Sequence, residues 1–267
     1  MADSSEQPVL VELHDHVLVI TMNRPEARNA CNLAMWVGVG EALEEADRNT
    51  HVRAVIITAA GDKSFCAGAD LKAIVRGEPA VPSDPKHLGW GFAGVVNHPI
   101  SKPVIAAVNG AAMGGGCEIA LACDLVVAAD HALFGLPEVK VGLIATAGGV
   151  FRLPRQVPLK QAMEMILTGR PISAARAAEL GLINRVVTAA DVMPTAMALA
   201  QEIAANAPLA VQASKQIALG TANGAYLRET DDWATNQRFI AMLMKSEDAH
   251  EGPRAFAEKR APKWKAR

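Results

Sequence analysis

Three short segments constrain this chain most. Ala54-Val55-Ile56-Ile57-Thr58, Pro103-Val104-Ile105-Ala106-Ala107-Val108 and Leu125-Val126-Val127-Ala128 are nearly unbroken apolar runs. A strand with one face in water alternates apolar and polar residues, so strands without that alternation are covered on both faces. Helical text lies between the runs, notably Glu118 through Cys123. Parallel neighbours need such crossovers, and the fold class is therefore α/β with parallel pairing.

Two elements precede this core. Val9, Val11 and Leu13 alternate with polar residues, His14-Asp15 marks a turn, and Val17, Val19 and Thr21 alternate again, which reads as a hairpin. Asn32 is placed to cap a helix that carries Leu33, Trp36, Val37, Gly40 and Leu43 and ends near Asn49. Between Ile74 and Pro99, Gly77, Pro79, Pro82, Pro85, Gly89, Gly91 and Gly94 interrupt every pattern, as in a lid or pocket wall. Trp90 and Phe92 are expected there as wall or core cover. Beyond Gly169 the text reads as wholly helical: a short helix from Ser173 to Gly181, then Met193–Asn206, a helix opened by Pro208, and a long amphipathic stretch from Tyr226 to Met244. The expected division is residues 1–195 as an α/β core and 196–267 as a helical region that packs on it or on another subunit.

Composition narrows the classes. The chain has 267 residues, 51% of them hydrophobic but only 4% aromatic, so aliphatic and alanine packing must fill its core. The formal net charge is −2, with basic residues scattered except at the C-terminal end, which forecasts no nucleic-acid footprint. The polar, acidic start Met1–Gln7 is unlike a secretory signal, and no apolar run approaches the ~18 residues of a membrane span. Cys31, Cys66, Cys117 and Cys123 form no C-x-x-C pair, as expected of reduced, mostly buried thiols in a cytoplasmic protein.

Chemistry concentrates in two stretches. Asn109-Gly110-Ala111-Ala112-Met113-Gly114-Gly115-Gly116-Cys117-Glu118 follows a buried strand and opens a helix. Bare N–H groups at a helix start bind an anion, or an oxygen that becomes anionic; the same glycines also suit a tight, closely packed strand-to-helix turn. Phe134-Gly135-Leu136-Pro137-Glu138 supplies a second acid. Glu118 and Glu138 beside glycine N–H groups offer a general acid, a general base and oxyanion donors, a set suited to the carbon next to an acyl carbonyl. Ser64-Phe65-Cys66-Ala67-Gly68-Ala69-Asp70-Leu71-Lys72 is a second source of N–H groups, or an ordinary strand-exit loop. G-x-G-x-x-G, Walker A, G-x-S-x-G and H-E-x-x-H are all absent.

Phe65–Leu71, Asn109–Glu118 and Phe134–Glu138, in that order, resemble the crotonase (enoyl-CoA hydratase/isomerase) superfamily. The likeness runs from Met22-Asn23-Arg24-Pro25 through Leu167-Thr168-Gly169 to Phe256-Ala257-Glu258-Lys259-Arg260. It implies a crotonase-type spiral of ββα units with a helical C-terminal trimerisation region, assembled as a homotrimer or a dimer of trimers. It implies a thioester carbonyl held by the Ala69 and Gly115 N–H groups, with Ala67, Gly68, Ala69, Asp70, Leu71 and Lys72 around the adenine of coenzyme A. Lys259 matches a position near the CoA phosphates, or belongs to a solvated basic tail with Lys263 and Lys265. No metal or separate cofactor is expected, coenzyme A being part of the substrate.

Two retained glutamates imply an enoyl-CoA hydratase of acyl-CoA degradation: syn addition of water to a trans-2-enoyl-CoA, with Glu118 on the water and Glu138 on the C2 proton. The alternatives are a Δ3,Δ2-enoyl-CoA isomerase or a carnitinyl-CoA-type dehydratase of the same fold, or a CoA-ester-binding protein without catalysis. In Leu143-Ile144-Ala145-Thr146-Ala147-Gly148-Gly149, Thr146 replaces a glycine that hydratases of this family often carry beside the water.

Overall fold

The computed structural model describes residues 7–222 and 224–267, the side chains of 74 and 75 excepted. The start read as carrying no secretory signal falls, for residues 1–6, outside them. In chain order the elements that build the core are β1 (Val9–His14), β2 (Val17–Met22), α1 (Leu33–Arg48), β3 (Ala54–Ala59), β4 (Ser64–Cys66), α2 (Leu71–Val75), α3 (Pro85–Gly89), β5 (Val104–Val108), β6 (Ala111–Met113), α4 (Gly115–Ala122), β7 (Leu125–Ala129) and β8 (Leu133–Gly135). There follow α5 (Gly149–Gln156), α6 (Leu159–Thr168), β9 (Ile172–Ser173), α7 (Ala174–Glu179), β10 (Arg185–Val187), α8 (Val192–Ala204), α9 (Pro208–Leu219), α10 (Thr230–Leu243) and α11 (Glu247–Ala257).

Successive strands go to different sheets. One sheet has the order β1-β2-β3-β5-β7-β10, and a smaller one has the order β4-β6-β8-β9. The pairs β3–β4, β5–β6 and β7–β8 therefore each place one strand in either sheet before a helix or 3₁₀ turn carries the chain onward, and the turns stack as a spiral. β2, β3, β5, β7 and β10 run parallel, and only the β1–β2 hairpin is antiparallel in this sheet. β3 and β5 are buried at every position, as their unbroken apolar text requires. Side-chain amides tie the turns of the spiral: Asn29 Nδ2 donates to the carbonyls of Ala60 and Ser64, and Asn109 Nδ2 to those of Ala59 and Gly61.

The hairpin and the Asn32-capped helix stand where the sequence puts them, with the Asn32 side chain accepting from Met35 N at 3.0 Å. The region after Gly169 is not wholly helical. β9 closes the small sheet and β10 extends the large one, Arg185 pairing with Val127. Strands of two and three residues are too short to show a period. The expected boundary at 195 falls inside α8, whose Val192, Ala196 and Ala200 belong to the main core against β3 and β5. The chain leaves that core only with α9, which buries no residue. The interrupted stretch 74–99 holds α3, capped by Asp84, and a 3₁₀ turn at Phe92–Gly94 pressed onto α1. No helix among the described residues is long and apolar enough to cross a membrane.

Candidate active site

Each of the three consecutive glycines answers a different contact. Gly114, leaving β6, has φ +55° and ψ −124°, and a Cβ there would come within 2.8 Å of Glu138 Oε1. At Gly115 a Cβ would strike the Phe92 ring at 2.3 Å. At Gly116 it would lie 2.0 Å from the Cys66 carbonyl oxygen. The run thus brings the start of α4 against β4, against Phe92 and beneath Glu138. Gly115 is the first residue of α4, so its N–H has no partner within the helix.

The second donor comes from the loop after β4. Cys31 N–H donates to the Gly68 carbonyl at 2.8 Å and Asp70 N–H to the Cys31 carbonyl at 3.0 Å. These bonds bracket Ala69 and leave its own N–H outside the ladder. Gly68, at φ +90°, turns the loop so that a Cβ on it would sit 3.4 Å from Gly115 N. The two segments that carry the candidate donors are therefore in contact. Asp70 anchors the loop from below: it is buried, pairs with Arg24 at 2.9 Å and accepts from Ala73 N at 3.0 Å.

Glu118 lies one turn into α4 and is 3% exposed. Its Oε1 accepts from Gly149 N at 2.9 Å, at the start of α5. Burial first, and then the charge of Glu138, push its pKa well above the usual carboxylate range; the Gly149 and Ala147 N–H groups and the Arg152 charge pull the other way. Glu138, in a 3₁₀ turn Pro137–Val141, is also pushed upward by burial, and its Oε2 is buried without a hydrogen-bond partner. The turn is backed by α11, where Gly252 packs so closely that a Cβ would lie 2.0 Å from the Val141 carbonyl oxygen. The pair can thus hold a proton at neutral pH and exchange it with something placed between them.

A cleft of about 770 Å³ opens onto this pair. Glu118, Glu138, Gly115, Ala67, Gly68, Ala69 and Leu71 all line it. Asp70 and Lys72 do not; Asp70 is spent on Arg24, and Lys72 is exposed. Lys259 is exposed, with φ +54°, while the neighbouring Arg260 reaches the cleft. Phe92 is a wall, edge-on to Trp36 at 5.6 Å, whereas Trp90 is buried against Gly40 and stacks on His98. Thr146 lines the cleft, and its carbonyl accepts from Asn236 Nδ2 at 2.7 Å. The contributions of Trp233 and Ile240 escape sequence reading, because α10 reaches the cleft only through tertiary packing, and so does the Gly149 N–H bond to Glu118, which depends on how α5 meets α4. Cys31, Cys66, Cys117 and Cys123 are free, and burial pushes the Cys66 thiol up to about 12. Among the described residues no group of three or more His, Cys, Asp or Glu side chains is placed to hold a metal ion.

The spiral of ββα turns defines a crotonase-type fold, and the comparisons agree. The family model for enoyl-CoA hydratase/isomerase matches residues 12–267. A carnitinyl-CoA dehydratase of Salmonella arizonae is 43% identical over 256 residues, 93% of this chain and 95% of that protein. A solved carnitinyl-CoA hydratase of Mycobacterium avium is 57% identical with a TM-score of 0.95, covering 98% of this chain and 100% of that one. A solved enoyl-CoA hydratase of Mycobacterium tuberculosis is 43% identical with a TM-score of 0.75, over 98% and 100% of the two chains. The protein is of the hydratase/dehydratase class of this fold. The chain belongs to the enoyl-CoA hydratase/isomerase family.

Proposed function

We propose that the chain interconverts a 3-hydroxyacyl-CoA and the corresponding 2-enoyl-CoA, and that its substrate is of the carnitinyl-CoA type. In hydration Glu118 takes a proton from water as the oxygen bonds to C3. The electrons pass into a thioester enolate whose oxygen is held by the Ala69 and Gly115 N–H groups. Glu138 then gives a proton to C2, and the reverse sequence expels water. No cofactor enters beyond the coenzyme A of the substrate, which the reading lays along Ala67–Leu71, with Arg260 in place of Lys259 nearest its phosphates.

The observation that carries this reading is the carboxylate pair: a buried Glu118 and a half-buried Glu138, both raised in pKa, in the cleft that the two candidate N–H donors line. An isomerase needs one base, and a binding protein needs neither. For the acyl group, the names of the relatives favour carnitinyl-CoA-type chemistry over generic enoyl-CoA hydration. Trp36, Phe92 and Trp233 line the cleft, and aromatic rings attract a quaternary ammonium. We also propose a homotrimer or dimer of trimers, which the strongly exposed Leu209 (79%) and Ile217 (75%) of α9 support; light scattering checks it.

The test compares kcat/KM for water loss from carnitinyl-CoA and from 3-hydroxybutyryl-CoA, which lacks only the trimethylammonium group. A preference for carnitinyl-CoA is the expected result. Preference for the uncharged thioester returns the protein to the plain enoyl-CoA hydratases. Tight binding of both without turnover would overturn the hydro-lyase reading.

A further inference from the structure

Behind Glu118, on the side away from the cleft, lies an arginine that no part of the proposed reaction uses. Arg152 is 5% exposed and sits one turn into α5. Its Nε and Nη2 donate to the two carboxylate oxygens of Glu229 at 2.9 and 2.6 Å, while its Nη1 is buried without a partner. The Phe151, Tyr226 and Trp233 rings surround the guanidinium at 5.2–5.7 Å. A buried guanidinium with one unsatisfied nitrogen keeps part of its field for other neighbours, since water does not screen it.

The Gly148–Gly149 peptide links this residue to the Glu118 carboxylate. Arg152 N–H donates to the Gly148 carbonyl at 2.9 Å, and Gly149 N–H, of the same peptide unit, donates to Glu118 Oε1 at 2.9 Å. A Cβ on Gly148 would lie 3.4 Å from Arg152 Nη1, so the free nitrogen lies beside Gly148. One peptide is thereby polarised at its oxygen by the arginine backbone and spends its N–H on the acid.

We propose that Arg152 is a positioning residue for Glu118, and that Glu229 sets how much of its charge reaches that carboxylate. The inference rests on Glu118 being the group that handles water. The other charges near Arg152 are already matched: Asp124 pairs with Lys215 at 2.7 Å, and Asp232 with Arg155 at 2.7 Å. Tyr226 and Cys123 also face it, and both are held neutral, burial raising their pKa values. Facing Glu118 on its other sides are Glu138 and the neutral thiol of Cys117. Glu229 also accepts from Trp233 Nε1 at 3.2 Å, and Trp233 lines the cleft, so the same acid ties α10 to the substrate side.

A mere latch and a charge device give different signs. The acidic limb of kcat/KM is measured for hydration of crotonyl-CoA and of the unsaturated thioester that carnitinyl-CoA becomes on losing water. Arg152→Met removes the positive charge at similar volume, and the limb is expected to move up by roughly half a unit or more. Glu229→Gln leaves that charge less matched, and the limb is expected to move down by a similar amount. The double variant returns the limb close to the wild-type position. Should Arg152→Met not fold, Arg152→Lys keeps the charge and the wild-type limb, and the downward shift in Glu229→Gln still decides. Shifts in the same direction, or an unmoved limb, overturn the proposal. Glu118→Gln, run in parallel, separates the two readings: near-wild-type activity in that variant removes the role of Glu118 itself.

Discussion

Substituting Gly116 by alanine tests how the site is held open. A Cβ there lies 2.0 Å from the Cys66 carbonyl oxygen, 2.8 Å from its carbon and 2.9 Å from the Cys66 Cβ. Ordinary carbon–oxygen contacts begin near ~3.3 Å, so α4 and β4 must part by about 1 Å. Nothing flexible can swing aside, because the obstacle is backbone and Cys66 is fully buried. Over-packing of this kind costs about 1–3 kcal/mol, which lowers Tm by roughly 3–10 °C in a chain of this size. The kinetic effect should be larger in proportion. β4 leads into Ala69 and α4 begins at Gly115, so the parting separates the two N–H donors, and a misplacement of ~1 Å costs on the order of 100-fold in rate. Calorimetry gives the first quantity, and loss of enoyl-thioester absorbance during hydration gives the second. Gly89→Ala is the control, since a Cβ there meets nothing within 4 Å. A Gly116→Ala protein with unchanged Tm and rate would refute the reasoning.

The raised pKa of Glu118 also has a sign in stability. Its folded-state value lies above its unfolded one, so its contribution is most favourable below the unfolded pKa and is lost as pH rises through the folded value. Glu118→Gln should therefore be more stable than the wild type near pH 8–9, with the gap closing toward pH 5; a constant Tm difference across that range would contradict it. Arg24→Met breaks the pair that anchors the Ala69 loop and leaves Asp70 buried, at a cost of roughly 1–3 kcal/mol. Its expected signature is a higher KM for the CoA thioester together with a lower Tm, and wild-type values of both would dismiss the anchor. Asn236→Ala removes the donor to the Thr146 carbonyl, at about 1 kcal/mol or somewhat more. A drop in turnover that exceeds any change in thioester binding checks whether that bond shapes the water side of the cleft.

Much of this molecule is legible in its sequence, and the parts that are not share a cause. β3 and β5 declare themselves because both faces are covered and their text is unbroken. The glycine run and the two acids are visible because contact and charge restrict residue type there. β10 is hidden: three residues pairing with β7 at an edge carry no period. By the resemblance Lys72 belongs beside the adenine and Lys259 near the CoA phosphates; the folded chain leaves both exposed, and Arg260, next to Lys259, lines the cleft. Trp90 and Phe92 stand two residues apart yet do different work, because the turn between them sends one ring into α1 and the other over Gly115. Arg152 is mute in sequence, since its significance depends on Glu229, 77 residues away.

The division of labour between backbone and carboxylates is tested most directly by Glu118→Gln and Glu138→Gln, each measured for turnover and for binding of the 3-hydroxyacyl-CoA. Glutamine keeps the shape and removes the exchangeable proton. The expected result is a loss of roughly 10²–10⁴ in kcat for each variant, with Kd within a few-fold of wild type because the Ala69 and Gly115 donors are untouched. Retention of near-wild-type kcat in either variant would contradict the paired acid–base role.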